Sequence, residues 1–188
     1  MRELEVKVLT IDIDDIISKL ESKGADKVAE EIQLNTVLDT KDYYIETHIN
    51  GYLRIRSLVN TLTREKKSVL TLKKKISDKN VRESIEIETE INDHESMIRI
   101  MEELGLTVLY ENTKKRTSYL YNDVRFDIDI WDEELGIKPY LEIEVPSEER
   151  LEQIINEFDI DRKYVSTKSI KELLEERDGK WYFFNYWW

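Results

Sequence analysis

Like charges recur two residues apart along this chain. Glu3/Glu5, Arg54/Arg56, Lys73/Lys75, Glu86/Glu88, Asp127/Asp129 and Glu142/Glu144 are six such pairs, and Lys114/Arg116 is a seventh. On an extended strand, residues two apart share a face and lie roughly 6.6–7 Å apart. Two carboxylates at that spacing can flank a hard divalent cation, which takes oxygen ligands. Two guanidinium or ammonium groups at that spacing can hold adjacent phosphates of a polyphosphate chain. Other chemistries are excluded by composition. The chain has no cysteine, which removes disulfides, zinc–thiolate sites, iron–sulfur clusters and thiol nucleophiles. Its two histidines, His48 and His94, are too few for multi-His metal sites, and both are expected at the surface.

The segments carrying these pairs read as strands. Leu4, Val6 and Val8 alternate with Glu3, Glu5 and Lys7; Leu53 and Ile55 with Arg54 and Arg56; Ile85 and Ile87 with Ser84, Glu86 and Glu88. The same period holds around Leu70–Lys75, Phe126–Ile130 and Leu141–Val145, and residues 31–39 and 112–121 add two less regular strands. The total is about eight, mostly antiparallel given their short connections. Four segments have helical spacing: Asp12–Lys23, Glu95–Leu104, Ser147–Phe158 and Ser169–Glu176. Each helix has one apolar stripe that needs a sheet face to cover, and an alternating sheet offers one apolar face. If the sheet closes, the helices therefore take its outside and the charges line the inside. The expected fold is α+β: a closed, eight-stranded, mainly antiparallel β-barrel with a charged interior, a tunnel, and helices packed outside. Unpaired charges in a dry interior cost too much, so the tunnel must hold water, ions or a charged ligand.

The length of 188 residues suits one domain. With 29 basic and 41 acidic residues, the formal net charge is −12, which argues against nucleic-acid and anionic-membrane partners. The proposed lining is nearly charge-balanced, so this net charge describes the exterior and does not exclude an anionic ligand within. No apolar run approaches the roughly 20 residues needed to span a bilayer. The N-terminus starts directly in a strand, unlike a signal peptide, and a cytoplasmic location is expected.

In order along the chain, these pieces resemble the CYTH family, also called triphosphate tunnel metalloenzymes. Its first-strand signature Glu-x-Glu-x-Lys is matched by Glu3-Leu4-Glu5-Val6-Lys7, and Leu53–Arg56, Leu72–Lys75, Glu86–Glu88, Lys114–Arg116, Phe126–Asp129, Leu141–Glu144 and Thr167-Lys168-Ser169 follow in turn. The resemblance covers residues 1–176 and looks closest to the class IV adenylyl cyclase-like branch. Ile170 departs from it, standing where many members have Tyr. The resemblance implies a divalent-metal-dependent enzyme acting on a triphosphate: a phosphohydrolase of ATP, thiamine triphosphate or inorganic tripolyphosphate, or a cyclase making cyclic AMP and pyrophosphate. It implies Mg²⁺ or Mn²⁺ held by Glu3, Glu5 and Glu144, with Glu142 a further candidate ligand. It assigns the triphosphate to Lys7, Arg54, Arg56, Lys73, Lys75, Lys114, Arg116 and Lys168. Arg82 is added as a candidate, and Glu86, Glu88, Asp127 and Asp129 are candidates for proton transfer or a second ion. A non-catalytic triphosphate or polyphosphate binder is the alternative. The remaining residues, 177–188, end in seven aromatics over 181–188; packing on the barrel or in a homodimer interface is expected for them, with a lid at the tunnel mouth as the other reading.

Overall fold

The computed structural model describes residues 1–178. Eight strands close into a barrel: β1 (Arg2–Val8), β2 (Asp26–Thr40), β3 (Gly51–Asn60), β4 (Lys66–Ser77), β5 (Arg82–Ile91), β6 (Leu106–Tyr121), β7 (Val124–Trp131) and β8 (Tyr140–Glu144). The order around the barrel is β5-β4-β3-β2-β6-β7-β8-β1, and β1 pairs back onto β5 to close it. Every pairing is antiparallel. A two-residue strand, β9 (Val165–Ser166), adds to the free end of β1. The helices are α1 (Ile13–Ser22), α2 (His94–Glu103), α3 (Glu148–Glu157) and α4 (Ile170–Asp178). Asp12, Asp93 and Ser147 cap the first three, each accepting a backbone N–H three residues on.

The period-2 pattern decides which side is which. Val6, Val8, Phe126, Ile128, Leu141 and Ile143 point outward and are buried beneath Leu20 of α1 and Leu151, Ile154, Ile155 and Phe158 at α3. This is the apolar core, and it lies outside the barrel. Each outward residue alternates with an inward charged one. The two faces are thus set strand by strand, and a register slip of one residue would bury charge against the helices.

Helical cover is incomplete. Across β4 and β5 the outer face stays open, leaving Ile85 39% and Ile87 60% exposed. The requirement that each apolar sheet face meet a helix therefore holds for β6–β8 and β1 and fails here. The two less regular strands extend beyond their expected limits, to 15 and 16 residues. Bulges at Lys27/Ala29 and Val37/Leu38 break the period there. Lys66 and Lys67 begin β4, directly after the turn from β3. His94 is not a plain surface residue. It starts α2 half-buried against the outer barrel wall, its ring nitrogens 3.2 Å from Thr36 Oγ1 and 2.8 Å from Ser57 Oγ. The aromatic segment 181–188 lies outside the described residues. Among those described, no helix is long and apolar enough to cross a membrane.

Candidate active site

The barrel encloses a cavity of about 490 Å³. Lys7, Arg54, Arg56, Lys73, Lys75, Arg82, Lys114 and Arg116 line it, with Glu5 and Glu142. Register explains the convergence. Glu5 faces Glu144 on β8 and Arg82 on β5, and Lys7 faces Glu142. Arg56 faces Asn35, Lys114 faces Trp131, and Lys73 faces Glu86. Gly51 allows β3 to approach β4 closely: a Cβ there would lie 2.0 Å from the Lys73 carbonyl oxygen.

Most of these cations already have carboxylate partners. Lys73 Nζ lies 2.8 Å from Glu3, 2.9 Å from Glu86 and 3.5 Å from Glu5. Lys7 lies 3.4 Å from Glu142 and 3.7 Å from Glu5. Arg116 donates to both Asp127 (2.7 Å) and Asp129 (2.6 Å). Burial alone would lower the Lys73 and Arg116 pKa values, but Tyr52 with Glu5, Glu86 and Glu3 holds Lys73, and Asp127, Asp129 and Glu142 hold Arg116, well above their usual ranges. Glu142, between Lys7 and Arg116, is held well below the carboxylate range despite its burial.

Arg54 and Arg56 differ. Among the described residues neither pairs with a carboxylate; Arg56 donates 2.8 Å to the Asn35 side-chain oxygen, and Arg54 Nε has no partner. Burial, with Arg54 and Arg116 nearby, pushes Arg56 down to about 9. Lys114 is pushed down to about 7 by burial and by Arg116. It does lie 2.6 Å from Asp129, but that carboxylate is shared with the Arg116 fork. Arg54, Arg56 and Lys114 thus form a pocket of under-compensated positive charge, which an anion would relieve.

Two carboxylates, Glu3 and Glu144, show the opposite imbalance. Burial raises Glu3 to about 7, with Glu86 and Glu144 adding repulsion against the counter-pull of Lys73. Glu144 is raised by burial and by Asp127, Glu142 and Glu5, although Arg125 opposes this. Oxygen donors short of positive charge suit a hard divalent cation. Among the described residues no three of them converge as a ligand set. The Lys73 ammonium occupies the space between Glu3, Glu5 and Glu86. The donor type fits Mg²⁺ or Mn²⁺, and Lys73 is the cation now in place.

The remaining expected residues are spread out. Glu3, Glu86 and Glu144 lie next to the cavity without lining it, and Asp127 and Asp129 back Arg116 as its counter-ions. Glu88 is exposed and accepts from Thr71 at 2.7 Å. Lys168 is not brought to the cavity: it pairs with Glu176 at the surface, its side chain 47% exposed. Its place is taken by Glu172 of α4. Glu172 accepts from Lys75 (3.0 Å) and Arg82 (2.8 Å), and these bonds and those at Ser169 hold it down to about 2. Sequence reading missed it. The available signal was a capping box, Ser169-x-x-Glu172, in which each residue accepts the other's backbone N–H.

Comparison with known proteins agrees with this geometry. The family model for the CYTH domain matches residues 1–171. The chain belongs to the CYTH family. Solved structures similar to this CYTH protein include the PH1012 protein of Pyrococcus horikoshii, with 25% identity over 89% of this chain and 96% of that one and a TM-score of 0.73. A conserved hypothetical protein from Pyrococcus furiosus has 24% identity over 92% and 98% and the same TM-score. HpAC1 from Hippeastrum, which has a dominant triphosphatase activity, has 18% identity over 95% of each chain and a TM-score of 0.62. No curated protein matches the chain.

Proposed function

We propose that this CYTH protein is a divalent-metal-dependent enzyme that binds a triphosphate inside its barrel and cleaves it at a phosphorus atom. The observation that carries this reading is the trio Arg54, Arg56 and Lys114: lumen cations, the arginines half-buried and Lys114 buried, without sufficient carboxylate where other cations are neutralised. Phosphoryl transfer needs charge neutralisation and in-line alignment more than a protein nucleophile. Arg54, Arg56 and Lys114 would take phosphate oxygens directly. Asp127 and Asp129 hold the Arg116 fork in position, and Glu5 and Glu142 do the same for Lys7. Glu3, Glu5 and Glu144, with Glu142, would hold Mg²⁺ or Mn²⁺, which when bound neutralises further charge on the phosphates. Binding would free Lys73 from the carboxylates to serve the substrate.

HpAC1's dominant triphosphatase activity makes hydrolysis the first outcome to test. The protein is incubated with Mg²⁺ or Mn²⁺ and ATP, thiamine triphosphate or tripolyphosphate. Orthophosphate identifies a hydrolase; cyclic AMP with pyrophosphate identifies a cyclase. Binding without turnover of any of the three would reduce the protein to a triphosphate-binding module.

A further inference from the structure

Among the described residues, four buried side-chain polar atoms have no hydrogen-bond partner: Gln33 Oε1, Arg54 Nε, Ser84 Oγ and Asn112 Oδ1. Three of the four belong to residues that line the cavity, namely Arg54, Ser84 and Asn112. A buried polar atom left unpaired destabilises a fold, so orphans gathered around one cavity point to a ligand that completes them. Asn112 Oδ1 can only accept, and Arg54 already belongs to the cationic trio. Ser84 is the unexplained donor.

Its place in the barrel says what it would donate to. The inward row of β5 runs Arg82, Ser84, Glu86, Glu88, and Ser84 is the short, uncharged side chain in it, 0% exposed. Opposite it stand Glu3 on β1 and Lys75 on β4. Residues directly opposed on antiparallel strands bring their Cβ atoms to roughly 4.5–5.5 Å. Both of these neighbours are committed elsewhere. Glu3 lies 2.8 Å from Lys73, and Lys75 lies 3.0 Å from both Asp78 and Glu172. The lumen also changes sign at this level. Arg82 and Lys75 line the cavity with Ser84, whereas Glu86 and Glu3 lie beyond it. An anion drawn to Arg82 and Lys75 therefore meets in Ser84 a donor set just ahead of the carboxylates. Thr71 on β4 is the contrasting case. It is equally buried, but its hydroxyl donates to Glu88 at 2.7 Å and it does not line the cavity.

We infer that Ser84 is a neutral phosphate-binding residue: its hydroxyl donates to the phosphate that reaches deepest into the barrel and fixes how far the ligand enters. This rests on the triphosphate reading above and adds to it an uncharged donor that no charge pattern marks.

The test compares wild type, Ser84→Ala, Ser84→Cys and Thr71→Ala by calorimetric titration of the full chain with tripolyphosphate, in EDTA and again in Mg²⁺, and by melting without ligand. Ser84→Ala should bind tripolyphosphate about ten-fold more weakly in EDTA, the scale of one hydrogen bond to a charged group. Its unligated melting temperature should not fall, because the hydroxyl removed had no partner. Ser84→Cys keeps the size and replaces the hydroxyl by a weak donor, so it should lose affinity in the same way. Thr71→Ala should do the reverse: a lower melting temperature, with affinity within about two-fold of wild type. Wild-type affinity in both Ser84 variants overturns the inference. So does a loss confined to the Mg²⁺ arm, which would put the hydroxyl on the metal, or an equal loss in Thr71→Ala. Each of these leaves the triphosphate reading intact. If wild type itself fails to bind tripolyphosphate in either arm, that reading falls, and the role of Ser84 with it.

Discussion

A buried guanidinium without a carboxylate is unfavourable in the free protein and useful only when an anion arrives. Arg56 is the clearest case, and the two sides of that statement can be measured separately. Arg56→Met should weaken tripolyphosphate binding about 10²-fold, as loss of a buried charge-assisted contact does. The same substitution should raise the unligated melting temperature; each kcal/mol gained corresponds to about 2–4 °C in a chain of this size. An unchanged affinity would remove Arg56 from the phosphate site. Lys114 gives a pH prediction. Its folded pKa of about 7 lies below its ordinary value of 10.5, so between these values the unfolded chain holds more protons and stability rises with pH. Bound phosphate restores the proton, so tripolyphosphate binding should take up protons at pH 8 and weaken as pH rises above 7. Calorimetry in buffers of different ionisation enthalpy reads this, and Lys114→Met should remove the uptake. Glu5→Gln should abolish turnover while circular dichroism shows a retained fold; wild-type activity would remove Glu5 from the metal set. The charged pairs themselves were legible in the sequence, because residues two apart on a strand must share a face. Their partners were not. Nothing along the chain says that Asp127 and Asp129 both serve Arg116, or that Glu172 rather than Lys168 reaches the cavity, since these contacts join residues far apart in sequence.

At the level of elements, helices were read more closely than strands. Asp12 and Ser147 open their expected helical segments because capping is local: a side-chain oxygen meets an N–H three residues on, as Asp93 also does ahead of α2. The long strands β2 and β6 were read short because their bulges shift the alternation. The π-helical turn over Ile45–Ile49 was not anticipated at all, because its anchor is a single carboxylate. Asp39 accepts the backbone N–H groups of Thr40, Ile45 and Glu46, of which that of Ile45 is buried, so Asp39→Ala should cost about 1–3 kcal/mol in urea unfolding. Amide exchange at residues 43–49 should accelerate while that of β7 and β8 stays slow. Equal acceleration throughout would mean that Asp39 serves the whole barrel and not the mouth.

On the scale of the molecule, acidic and basic residues are sorted by side. The chain as a whole carries a net charge of −12, while the lumen gathers cations for an anion, so the exterior is the acidic side. Duplex DNA and anionic vesicles should therefore show no binding even at low salt, where any electrostatic attraction is strongest, whereas tripolyphosphate at a hundred-fold excess over its Kd should stabilise the fold by about 2.7 kcal/mol. DNA binding measured by gel shift would contradict this sorting. The amino-acid sequence alone determined the strands, the capped helices, the inward turn of the charged face and the family resemblance, because each depends on periods and spacings within a few residues. Tertiary structure decided which charges cancel, which two arginines lack a carboxylate partner among the described residues, and that Tyr52 and Trp131 stand against Arg54 and Lys114 in the cationic cavity. Those outcomes depend on barrel closure and register, which bring together residues from eight strands and α4 that no local pattern connects.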